Sequence, residues 1–115
     1  MLVPITATTV RVCRYAALNA PNANVLVRSG VVTDPAAVRS LETATNALHQ
    51  IPNAERIPCP LNPAGVGWSI IFGARGTSVT LGVLPSDCGF ATNGVVSAGP
   101  SASWLAALAQ VARLR

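Results

Sequence analysis

The chain has 115 residues, half of them apolar and only 10% charged, a composition that excludes disorder driven by low hydropathy and high charge and predicts one domain with one core over residues 1–115. Its net charge of +4 comes from eight arginines without a lysine, beside one histidine and four carboxylates, so the side chains most catalysis requires are scarce. The arginines are scattered along the sequence and the five aromatic residues fall mostly at apolar-patterned positions. That is not the clustered basic footprint with interleaved aromatics of a nucleic-acid binder, and no nucleic-acid partner is expected.

Taken in order, residues 7–16 are rich in β-branched types and predict a strand, with Val10 and Val12 on one face and Arg11 and Cys13 on the other. Pro21 and three asparagines between Asn19 and Asn24 mark a turn. Val25–Val32 predicts a second extended segment, broken at Ser29-Gly30. Asp34-Pro35 then places a capping carboxylate before a proline at the first helical position, where its missing N–H is harmless. The helix has an inward stripe of Val38, Leu41, Ala44 or Thr45, and Leu48, and Pro52 is expected to end it.

Four prolines (Pro52, Pro58, Pro60, Pro63) mark the stretch to Gly67 as a long, stiff connection; connections beyond ~12–15 residues are usually functional or mobile. Trp68, Ile70 and Phe72, and then Val79, Leu81 and Val83, alternate with smaller or polar residues on either side of Gly73-Ala74-Arg75-Gly76, which predicts a β-hairpin. Cys88–Thr92 and Val95–Ala98 read as extended, with Asn93-Gly94 suited to a tight type I′ turn. Gly99-Pro100-Ser101 leads into a last helix whose inward stripe is Trp104 or Leu105, Leu108, and Val111 or Ala112, with Arg113 and Arg115 at the end where cations suit the helix dipole. Trp68 and Trp104 both fall in apolar stripes and are assigned to the core. The expected fold is α+β: a single antiparallel sheet of four to six strands with two helices on one face, in the order β-β-α-β-β-β-α.

The chain contains no stretch near the ~18 apolar residues of a membrane helix, so no membrane span is expected. Asp34, Glu42, Glu55 and Asp87 are spread along the sequence and read as caps and solvated charges rather than as a catalytic pair. His49 falls near the end of the first helix, no G-x-S-x-G elbow accompanies it, and no phosphate-cradling glycine motif is present. No enzyme activity, catalytic residue or cofactor is therefore expected. Three cysteines and His49 could assemble a metal site only by convergence of the fold, and no metal is expected. A bridge between Cys59 and Cys88, with Cys13 as a packed thiol, is the favoured reading of an odd cysteine count. Such a bridge would anchor the loop over residues 58–65, where Pro58, Pro60, Leu61, Asn62 and Pro63 form the candidate binding loop.

Two families resemble this chain. Val10–Tyr15 with Leu18-Asn19, Val32–Ala36, Asn46-Ala47-Leu48, Cys59-Pro60, and Cys88 followed by Thr92-Asn93-Gly94 are similar, in the same order, to small secreted or lipid-anchored actinobacterial-type domains of uncharacterised function. More distantly, the chain resembles the subtilisin inhibitor-like proteins of streptomycetes, in a strand ending in Cys, a helix ending in Asn-Ala-Leu, a Cys-Pro loop, a hairpin and a Cys that closes the loop. That second resemblance implies a substrate-like loop in which Cys59 and Pro60 precede the specificity residue Leu61, with Asn62 on the leaving side, and a subtilisin-type serine protease as partner. Together these readings give a non-enzymatic cell-envelope or secreted binding domain with an unidentified protein or envelope ligand as its partner. A serine protease inhibitor is the alternative. Met1–Ile5 has neither the basic nor the apolar region of a secretory signal, so the expected extracytoplasmic location needs a signal or anchor outside this sequence.

Overall fold

A computed structural model describes residues 1–23, 25–86 and 88–113, with Glu55 and Arg113 described by their backbone alone. Strands β1 (Thr9–Tyr15) and β2 (Leu26–Val32) precede helix α1 (Pro35–Asn46), and a short 3-10 turn spans Ala54–Arg56. Strands β3 (Gly67–Ala74), β4 (Thr77–Val83), β5 (Ala91–Thr92) and β6 (Ser97–Ala98) follow, and helix α2 (Ala102–Arg113) closes the chain. The strands form one antiparallel six-stranded sheet in the order β2-β1-β3-β4-β5-β6. This is the α+β arrangement expected from the sequence.

The period-two pattern decides which face is covered. Val10 and Val12 of β1 pair with Phe72 and Ile70 of β3, which in turn pair with Val79 and Leu81 of β4. Of these, Val10, Val12, Ile70, Phe72 and Leu81 are fully buried, in one cluster with Val38 and Leu41 of α1 and Trp104, Leu108 and Ala112 of α2. Burying each large side chain stabilises by about 1.5–3 kcal/mol, more than a typical helix cap or surface pair supplies. The Asp34 carboxylate caps α1 by accepting from the Ala37 N–H, with Pro35 just inside the helix. The Ser101 hydroxyl does the same for the Trp104 N–H at the start of α2.

The structure departs from the sequence reading at several places, among them the extended segments expected over Cys88–Thr92 and Val95–Ala98, which are strands only at Ala91–Thr92 and Ser97–Ala98, with Gly89 at φ 61°. β2 is continuous through Ser29-Gly30; a Cβ on Gly30 would strike the Val111 carbonyl, so this glycine admits α2 rather than breaking the strand. Helix α1 stops at Asn46, well before Pro52, with Ala47 as its C-cap, and the Asn46 side chain donates to the Val3 carbonyl and accepts from the Val3 N–H. The chain beyond it pairs with β6, through a Gln50–Ala98 bridge and the Ile51 N–H donating to the Ser97 carbonyl. The β3–β4 turn is only Arg75-Gly76, with Ala74 paired to Thr77 and Gly76 at φ 79°. The β5–β6 connection is longer than a type I′ turn: Asn93 has no positive φ, and its Oδ1 accepts from the N–H groups of Val95 and Val96. Arg115 lies outside the described residues.

Trp104 is 2% exposed, while Trp68 is only half-buried, packed against the core with the Arg14 guanidinium 5.8 Å from its ring centroid. The buried indole N–H of Trp104 donates to Thr45 Oγ1 at 2.9 Å, and that hydroxyl donates to the Leu41 carbonyl at 2.7 Å. Thr45→Val keeps the volume but leaves the indole N–H without an acceptor, and should lower unfolding free energy by about 1–3 kcal/mol in urea titrations. Thr45→Ser, which keeps the hydroxyl, should lose clearly less.

Candidate functional site

The register places the end of β1 (Tyr15), the start of β2 (Leu26), the start of β3 (Gly67) and the end of β4 (Val83) at one end of the sheet. Loop 58–65 enters β3 at that end. Its prolines fix φ and remove backbone donors, so the segment cannot extend the sheet as a regular strand. It is instead fastened at separate points. Cys59 is bonded to Cys88, 29 positions on, with an S–S distance of 2.08 Å. Leu61 forms an isolated antiparallel bridge with Ser86, and the Asn62 N–H donates to the Pro85 carbonyl at 2.7 Å.

Asn62 also organises the chain that follows. Its Oδ1 accepts from the Ala64 N–H at 3.1 Å and its carbonyl accepts from the Gly65 N–H at 2.9 Å, a local turn of the kind asparagine favours. The β1–β2 connection reaches the same loop, the Asn19 N–H donating to the Pro63 carbonyl at 2.9 Å. Pro58, Pro60 and Pro63 are exposed, Asn62 is half-buried, and Leu61 is 60% exposed. Among the described residues, neither the N–H nor the carbonyl of Leu61 has a backbone partner. The loop therefore holds an apolar side chain outward on a backbone fixed to either side of it. Leu84, 65% exposed, sits beside this rung, next to Pro85. Sequence reading passed over Leu84, although an apolar residue directly after Val83 breaks the β4 alternation and was the available signal.

The other candidate residues do not converge on the loop. Asp34 caps α1, and the Glu42 carboxylate accepts from the Ala7 N–H at 2.7 Å. Asp87 and the Glu55 side chain lie outside what is described. His49 is beyond the end of α1 with its side chain exposed, and its carbonyl accepts from the Gly99 N–H. Cys13 is a free, buried thiol on β1. Among the described residues, no three His, Cys, Asp or Glu side chains are grouped as a metal ion would require. Arg14 and Arg28 are direct cross-strand neighbours, whereas Arg11 is on the opposite face of β1 and Arg75 is in the β3–β4 turn at the other end. No helix among the described residues is long and apolar enough to cross a membrane.

Comparison of the chain with protein-family models, curated proteins and solved structures gives no match.

The Cys59–Cys88 bridge closes a loop whose chain-entropy contribution is about 3–4 kcal/mol. Replacing both cysteines by serine should lower the unfolding free energy by about that amount. Limited proteolysis should then cut within residues 58–65 while the rest of the sheet retains its amide protection in hydrogen exchange.

Proposed function

We propose that this chain is a non-enzymatic, extracytoplasmic binding domain whose recognition element is loop 58–65. The observation that carries the reading is the exposure of Leu61 on a segment tied by the Cys59–Cys88 bridge before it and the Asn62–Pro85 hydrogen bond after it. A loop already held in one conformation loses little entropy on binding, so contact area at Leu61 converts more fully into affinity. The disulfide supports an oxidising compartment, where such bonds persist. The described polar candidates support a binding role over catalysis, since Asp34 and Glu42 are both engaged with backbone amides.

The same geometry favours a second reading, a substrate-like inhibitor of a subtilisin-type serine protease with Leu61 in the apolar specificity pocket and Asn62 on the leaving side. Were the Leu61–Asn62 bond cut, Cys59 would stay tethered by its disulfide and the Asn62 nitrogen by its bond to Pro85. The amine would remain beside the acyl carbon at a high effective concentration, which favours resynthesis over release.

A photo-crosslinking residue at position 61, with one at Arg75 as control, tests the binding reading on envelope material. A single saturable adduct formed from 61 and lost from 75 is expected, and equal labelling from both sites would remove the loop as the recognition element. Titration against subtilisin separates the inhibitor reading. Slow, saturable inhibition with cleavage confined to Leu61–Asn62 would establish it, and Leu61→Gly should then weaken inhibition by about 10- to 200-fold, the equivalent of one buried leucine. Rapid degradation without inhibition would dismiss it and leave the binding reading standing.

A further inference from the structure

The two edges of the sheet differ in how they are closed. β6 has only two residues, and the chain leaving α1 covers it, with Gln50 bridging to Ala98 and the Ile51 N–H donating to the Ser97 carbonyl. β2 has seven residues and contains neither proline nor lysine. It pairs with β1 along one side, and among the described residues no backbone hydrogen bond is made on its other side. The single irregularity in that pairing lies between Arg14 and Tyr15, so Arg28–Val32 is regular, and Val25, Leu26 and Val27 before it are each about half-exposed. An uncovered edge of this length is a row of unpaired N–H and C=O groups that another extended backbone completes, and natural sheets usually blunt it with proline, lysine or a covering segment.

The side chains of the edge decide which backbone it takes. Alternation puts Arg28, Gly30 and Val32 on the helix-covered face, opposite Arg14, Val12 and Val10. Arg14 is thus flanked by Arg28 on one side and by Trp68 on the other, with its guanidinium over the Trp68 ring. Like charges directly opposite one another destabilise a sheet, and the two carboxylates that are described, Asp34 and Glu42, are engaged with backbone amides. A strand added beside β2 places one of its own side chains next to Arg28, and a carboxylate there neutralises the cationic pair. Val32, further along the same face, lines a cavity of about 560 Å³ between α1 and α2, with Ala37, Leu41, Ala107 and Val111 in its walls. We propose that β2 is the docking edge for an extended, acidic segment of a partner protein, which adds to the six-stranded sheet as a further antiparallel strand with a carboxylate opposite Arg28 and an apolar side chain opposite Val32. Main-chain hydrogen bonds supply the affinity of such a contact and the alternate side chains its specificity. This surface is separate from loop 58–65 and does not depend on it.

The test is an amide-resolved NMR titration of the full chain with the peptide acetyl-Thr-Leu-Thr-Ala-Thr-Glu-Thr-amide, whose leucine, alanine and glutamate fall opposite Val32, Gly30 and Arg28 in antiparallel pairing. Saturable shifts at the amides of Leu26–Val32 are expected. Binding should be about tenfold weaker when lysine replaces the glutamate, and absent when the peptide nitrogens are methylated, which removes the donors of the added strand. Arg28→Glu should reverse the order of the glutamate and lysine peptides, and Arg28→Gln should make them equal. Both variants remove the like-charge pair, so neither should lower the thermal midpoint. Absence of saturable shifts in β2, binding that survives methylation, or equal binding of the glutamate and lysine peptides by the unaltered chain would overturn the proposal. Shifts of the β2 amides on diluting the protein alone would also overturn it, by assigning the edge to a second copy of the chain.

Discussion

Val10, Val12, Ile70, Phe72 and Leu81 stand on one side of three adjacent strands, and a five-residue apolar face of this kind must be covered for the sheet to persist in water. Covering it sets the positions of both helices. α2 lies close enough to β2 that only a glycine at position 30 is tolerated beneath Val111, and the Trp104–Thr45–Leu41 hydrogen-bond chain fixes α2 against α1. With the helices committed to one face, the opposite face of β1, β3 and β4 is left without a helical cover. Gly82 lies on that side, since it alternates with the inward-facing Leu81 and Val83.

The same sheet gathers the strand ends that carry the candidate site. Because β3 starts where β1 and β4 end, the connection entering β3 is brought against the segment leaving β4, and Leu61 finds Ser86 as Cys59 finds Cys88. The prolines prevent the connection from becoming a further strand, so it is fastened at isolated points and keeps Leu61 outward. The fold thus determines where the loop is held, and the loop's own residues determine that it stays irregular.

Much of this was legible in the sequence, for identifiable reasons. Alternation marked β1, β3 and β4, the Asp34-Pro35 pair marked the start of α1, and a cysteine between two prolines inside the long loop, 29 positions before Cys88, marked the bridge. What failed was anything decided at a distance. The Asn46 side chain at the end of α1 bonds Val3, 43 residues away, and Gly30 answers to Val111, so neither role is written in the neighbouring residues. The β5–β6 connection misled for a similar reason: Asn93 uses its side chain on Val95 and Val96 and donates to the Leu2 carbonyl. At the site, the loop and its residues were readable, but its company was not. Leu84 and Asn19 join it only through sheet register and the Pro63 and Pro85 carbonyls.

A structural staple and a recognition loop make different demands on these residues. Stapling requires the Cys59–Cys88 bond, whose contribution of about 3–4 kcal/mol is a large share of the ~5–15 kcal/mol by which domains are usually stable. It does not require a leucine at 61: with 60% of that side chain exposed, most of the stabilisation that burial would provide is unrealised, and a polar residue would serve the staple as well. A single exposed leucine is ordinary on a protein surface, and taken alone it would carry little weight. Here Leu61 is held near a second exposed leucine, Leu84, two residues before its bridge partner Ser86. Stability explains the prolines and the disulfide, and it leaves two exposed leucines at one end of the sheet without a structural role.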